Sequence, residues 1–148
     1  MAGNWQQDLR EFAELFEGAD LTEAFRAADD VLSEGFQQNF FNAVDEKGIP
    51  WPPHAPATVA RYGPHDLLIL TGRMFAAATN PDDPGHLMRV EDNSALVTGI
   101  KDSVVPHAKF HHTGTVKMPR RRVIYATPET INRARDAFAE KAEEAILR

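Results

Sequence analysis

Apolar residues recur every three or four positions over two long stretches, and that spacing predicts two long amphipathic helices. The first runs from about residue 21 to 46. Leu21, Phe25, Ala28, Leu32, Phe36, Phe40 and Val44 form its stripe, and Asp29, Asp30, Glu34 and Gln37 lie off it. Asp20-Leu21-Thr22-Glu23 has the form of a capping box, with Asp where Ser or Thr is usual. Gly35 weakens the middle and Gly48 supplies the stop. The second helix is C-terminal. Thr127-Pro128 reads as an N-cap followed by proline at the first helical position, and Ile131, Ala134, Phe138, Ala142 and Ile146 mark a buried stripe reaching to about Leu147. A shorter helix over residues 5–17 carries Leu9, Phe12, Ala13 and Phe16 at helical spacing and stops at Gly18.

Between these helices the pattern changes. Residues 48–66 hold five prolines and two glycines and predict a loop, with a short helix at 57–62. An apolar run at 67–70 precedes TGRMFAAAT, which reads as a helix over 72–79 capped by Thr71-Gly72. NPDDPG at 80–85 is a turn. His86–Glu91 and Ala95–Ile100 alternate as two strands joined by Asp92-Asn93-Ser94, a hairpin signal. Residues 104–112 fit either helix or loop. Residues 122–126 (RVIYA) are β-rich and predict a third strand. The expected class is α+β, a small and mainly antiparallel sheet packed with a long helix near each end. One domain is expected over residues 1–148: a helical part at 1–47, the proline-rich loop at 48–66, and the sheet with the last helix at 67–148.

Composition narrows the functional classes. The chain has 148 residues, 43% of them hydrophobic and 26% charged, an ordinary globular balance. It has no cysteine, which excludes a disulfide framework and a thiolate metal site. No apolar run approaches the ~20 residues of a membrane span, and the polar, acidic start MAGNWQQDLREF reads as neither signal nor transit peptide. The net charge of −6 is uneven. Residues 1–50 hold eleven acids against three bases, whereas residues 109–122 hold five bases and no acid. That asymmetry suits head-to-tail self-association or a local basic contact, and the acidic total argues against a general DNA coat.

Four segments carry a family resemblance: WPPHAPATVARYG (51–63), LLILTGRM (67–74), VTGIKDSVVPHAKFHHTGT (97–115) and KMPRRRVIYAT (117–127). In this order they resemble the phage virion morphogenesis (tail-completion) family of Mu-like type. Its Trp-Pro loop with a following Thr falls on Trp51 and Thr58, and its Leu-x-x-Thr-Gly-x-Leu/Met element on residues 68–74. The glycine-ended strand falls on Gly99, the His-x-x-Gly stretch on residues 107–114, and the Pro-x-Arg on Pro119 to Arg121. The chain departs from the pattern at Val105-Pro106-His107-Ala108, where Tyr-Ala is usual, and at Arg122-Val123, where Pro-Phe is usual. The resemblance implies a structural virion protein of the head–tail junction (neck, tail completion or tail terminator), an α+β subunit of a ring of six copies. Its partners would be its own copies, the adaptor or connector, and the tail tube. DNA would be only passing cargo and no membrane would be involved. Its place would be the virion, after assembly from the host cytoplasm.

The residues themselves offer little catalytic chemistry. His107 and His111 share a face if helical, and His112 adjoins them, but no HExxH pattern follows. Ser33, Ser94 and Ser103 lie in no G-x-S-x-G turn. The pairs Asp29-Asp30 and Asp82-Asp83 read as solvated charge. No catalytic residue, metal ligand or cofactor is therefore expected. Arg120-Arg121-Arg122 is the notable cluster. It fits a charged guard on a strand edge, a contact with an acidic neighbouring subunit, or a contact with DNA. The interface expected from charge sets Lys117, Arg120, Arg121 and Arg122 of one subunit against acids such as Asp29 and Asp30 of the next. Trp51 is expected to anchor its loop in the core. Two other functions remain open on the residues alone: a DNA-binding accessory protein using the arginines, and a small metal-dependent hydrolase using the histidines.

Overall fold

The fold is known from a computed structural model that describes residues 5–69 and 71–147, without the side chains of Trp5, Phe12, Ala13 and Phe16. In chain order the elements are α1 (Trp5–Gly18), α2 (Thr22–Asn42), α3 (Pro56–Tyr62), α4 (Arg73–Thr79), β1 (His86–Glu91), β2 (Ala95–Ile100), α5 (Ala108–Thr113) and α6 (Pro128–Ile146). This is an α+β protein in which two long helices, α2 and α6, pack on each other and on a two-stranded antiparallel sheet. No helix among the described residues is long and apolar enough to cross a membrane.

The start of α2 differs from a reciprocal capping box. Asp20 Oδ1 accepts from both the Thr22 amide and the Thr22 hydroxyl, which turns the chain into the helix from one side only. The helix also ends at Asn42, earlier than the periodicity suggests. Ala43 takes a left-handed conformation, and Asp45 then gathers a tight turn by accepting from the amides of Lys47 and Ile49. A short bridge between Val44 and Pro50 returns the chain toward Trp51. At the far end of the molecule, Thr127 caps α6 as expected, its hydroxyl accepting from the Thr130 amide.

Gly35 has a packing role that periodicity does not reveal. A Cβ there would stand 2.6 Å from Thr130 Cγ2, so the bare backbone is what lets α2 and α6 approach. The two apolar stripes meet farther along the pair, toward the start of α2 and the end of α6. Leu21, Ala24, Phe25 and Ala142 are buried together, joined by Phe138 and the hairpin residues Met88, Val90 and Leu96. Phe25 and Phe138 meet edge-on with centroids 4.8 Å apart. Phe36 is buried as expected, but Phe138 and Ile146 are only half-buried and Ile131 is exposed. In α1, Leu9 is exposed; the expected burial of Phe12, Ala13 and Phe16 lies outside the described residues, as does Leu70.

The hairpin has the expected bounds, with His86 paired to Ile100 and Glu91 to Ala95. Asp92 and Asn93 both adopt positive φ, which these short polar side chains tolerate. The third strand predicted at 122–126 does not form. Its Val123 and Tyr125 carbonyls are taken by the Asn39 side-chain amide at 2.7 and 2.8 Å, so α2 satisfies a segment that would otherwise seek a strand partner. Val123 is fully buried there. It belongs to a second core, formed with Phe40, Trp51, Met74, Ala77, Ala78, Val105 and Ala108.

A histidine-lined cleft as the candidate functional site

The proline-rich loop, the start of α4 and the segment from α5 to Arg121 enclose a cleft of about 610 Å³. Trp51 is buried edge-on to Phe40 and so fixes the loop on the second core. Arg121 supplies the other restraint. Its guanidinium donates from Nε to the Pro52 carbonyl at 2.9 Å and from Nη2 to the Pro53 carbonyl at 2.8 Å. Prolines 52 and 53 have no amide to offer a strand, and here their carbonyls are held by a side chain 68 residues or more away. The Arg121 amide donates in turn to the His111 carbonyl at 2.7 Å. Gly114 allows the tight return between α5 and Arg121: its φ is 71°, and a Cβ would meet the Arg120 amide at 3.1 Å.

Four imidazoles line the cleft. His65 Nδ1 lies 3.0 Å from the Gly63 carbonyl and His54 Nε2 lies 3.0 Å from the His65 carbonyl. A carbonyl only accepts, so both nitrogens carry hydrogen. The two rings lie 4.1 Å apart. On the opposite wall, His107 and His111 stand edge-on at 6.2 Å. Burial, followed by the nearby His107 and Arg121, pushes His111 down to about 4, so its ring is neutral near pH 7. His112 is also lowered, first by burial and then by Arg122 and Arg120. The buried His111 Nδ1 and His112 Nε2 have no hydrogen-bond partner among the described residues. No group of three or more His, Asp or Glu side chains with metal-holding placement occurs among the described residues. Thr58, Thr71, Lys117 and Arg121 complete the polar lining, and the described lining residues include no carboxylate. The remaining walls, Leu68, Met74, Met118 and Pro119 among them, are apolar.

The structure divides the residues that charge alone grouped together. Lys117 and Arg121 reach the cleft, but Arg121 is buried and committed to the loop, so it is not the open contact expected of it. Arg120 and Arg122 turn away from the cleft lining to Glu46 of the same chain, at 2.8 and 3.4 Å. The carboxyl of Glu46 is held below its usual range by a backbone amide and then by these two arginines.

Asp29 is the larger correction. Expected on a solvated face, it is buried. Its Oδ2 accepts from His86 Nε2 at 2.9 Å and its Oδ1 from the Thr98 hydroxyl, while His86 Nδ1 donates to the Ala77 carbonyl at 2.9 Å. With both ring nitrogens donating, His86 is held as an imidazolium. Burial pushes its pKa down, but the bonds to Asp29 and Ala77 and the charges of Asp29 and Asp83 outweigh this and raise it. This network ties α2 to α4, β1 and β2; it is internal and offers nothing to a neighbour. Asp30 does face solvent, in a separate open groove where Glu23, Asp29, Asp30 and Asp82 outnumber the bases Arg26 and Lys141. Partial burial and then the like charges of Asp29 and Asp82 raise its pKa.

Neither Asn39 nor His86 stood out in the sequence. Asn39 lies one residue before the stripe residue Phe40, and His86 opens a strand; nothing in their local pattern marks either as a buried hub. Compared with protein-family models, curated proteins and solved structures, the chain finds no match.

Proposed function

We propose that the protein is a structural subunit that closes into a ring at the junction of a phage head and tail, with DNA as passing cargo. The observation that carries this reading is the convergence of the four segments that resemble the virion morphogenesis family. Trp51 of the first, Met74 of the second, Val105 and Ala108 of the third and Val123 of the fourth share one core. Arg121 of the fourth also grips the backbone of the first. Motifs spread along the chain thus serve one architectural unit, as a common family architecture requires.

Two surface features favour assembly. Phe41 in the last turn of α2 and Ile49 in the turn that follows it are 60% and 57% exposed, apolar side chains that a neighbouring subunit would cover. The cationic cleft and the acidic groove are unlike surfaces at separate places on one subunit, the arrangement a head-to-tail ring needs. Six copies follow from the resemblance. Native mass spectrometry of the purified chain tests the reading: the expected species is a closed multiple of 16.5 kDa, six in number. A chain that remains a monomer or dimer at every concentration refutes the ring. If that monomer or dimer also binds DNA in a strongly salt-dependent way, the DNA-binding accessory role takes its place.

A further inference from the structure

We infer that the cleft receives α1 of a neighbouring copy, an inference that rests on the ring reading above. The occupant is argued from charge, apolar surface and reach. The described cleft lining carries Lys117, Arg121 and four imidazoles without a carboxylate. Residues 5–18 carry four acids, Asp8, Glu11, Glu14 and Glu17, against the single base Arg10. Leu9 is 57% exposed, and Asp8 and Glu17 project to either side of its helical position, since each residue advances about 100° around the axis. An exposed leucine flanked by carboxylates matches an apolar cleft that carries the exposed Lys117 and imidazoles and has no carboxylate among its described lining residues.

Reach decides between the chain's own cleft and another's. The residue after α1, Ala19, packs with Leu21 at the start of α2, and its carbonyl accepts from Asn93 in the hairpin turn. The cleft adjoins the core around Phe40, near the other end of α2. From Leu21 to Phe40 the helix rises about 29 Å, whereas the 14 residues of α1 span about 21 Å. α1 therefore does not reach the cleft of its own chain, and on this inference a second copy supplies the helix. Such donor-to-acceptor contact is heterologous, and it gives a ring where the rotation between successive copies closes.

Complementary variants test this. Asp8→Lys with Glu17→Lys removes the donor and leaves the acceptor intact. His107→Glu with Lys117→Glu removes the acceptor and leaves the donor; all four side chains are exposed, and circular dichroism checks that each variant is folded. Wild type is expected to form the closed multimer and each variant alone to remain at 16.5 kDa. An equimolar mixture should recover an alternating closed multimer, because the cleft variant's acidic α1 fits the donor variant's intact cleft and the donor variant's lysines fit the cleft variant's glutamates. Placing all four substitutions in one chain swaps the charges and should restore the multimer. If wild type assembles and both variants assemble equally well, the inference is overturned and the ring reading stands. If only the cleft variant fails to assemble and the mixture takes none of it into the multimer, another segment of the neighbour fills the cleft and the inference is again overturned. A wild-type chain that stays monomeric throughout overturns both.

Discussion

Consider the substitution Asp29→Ala. The carboxylate it removes and the His86 ring are each 1% exposed. Its loss strands a cationic imidazole between α2, α4 and β1 and leaves the Thr98 hydroxyl without its acceptor. Breaking a buried ion pair by deleting one partner costs about 3–5 kcal/mol, most of it the penalty of the charge left behind. In a chain of this size each kcal/mol moves the melting temperature by roughly 2–4 °C, so a fall of roughly 6–20 °C is expected. That loss is comparable with the whole stability of many domains, about 5–15 kcal/mol. The pH dependence supplies a second readout. His86 has its folded-state pKa raised, so its contribution is fully present below the unfolded value of about 6.5 and is lost as pH rises through the folded value. Urea melts from pH 5.5 upward should therefore show the gap between wild type and Asp29→Ala shrinking above neutrality. A gap under about 1 kcal/mol at pH 6, or one that does not change with pH, would refute the buried imidazolium.

Other outcomes follow from the packing. Gly35→Ala should destabilise by about 1–3 kcal/mol despite alanine's better helix propensity, because its Cβ collides with Thr130; Thr130→Ser in the same chain should recover part of the loss in thermal melts. Phe36→Ala should cost about 3–5 kcal/mol, and Phe138→Ala, half-buried against Phe25, about 1–3 kcal/mol by the same assay. Arg121→Ala removes two charged hydrogen bonds from the proline loop and should cost at least about 2 kcal/mol, whereas Arg120→Ala, an exposed pair with Glu46, should cost under about 1 kcal/mol. Equal effects of the two arginine substitutions in denaturant titrations would show that Arg121 does not clamp the loop. Reversing all three arginines together consequently perturbs folding as well as assembly.

Local signals determined most of the elements. The 3.6-residue stripes placed both long helices, and Thr127-Pro128 set the start of α6 to the residue. Alternation bounded by Asp92-Asn93-Ser94 set the hairpin, and Pro56 to Tyr62 formed the short helix expected in the proline-rich stretch. These signals are legible because a cap, a turn or an apolar period depends on residues within a few positions of each other. What remained hidden depends on partners far along the chain. RVIYA has strand propensity, but Asn39, some 84 residues away, takes the carbonyls a ladder would use. Gly35 looked like a weakness until Thr130 stood against it. Asp29 lies beside the exposed Asp30 in sequence, and only the folding of β1 and β2 across α2 turns it inward to His86 and Thr98. The arginine run reads as one cluster, yet Arg121 points into the loop and its two neighbours turn to Glu46, since successive side chains of an extended segment face opposite ways. The histidines of the cleft come from two stretches more than forty residues apart, and no spacing rule links them; the clamp of Arg121 on the proline loop is the contact that brings them face to face.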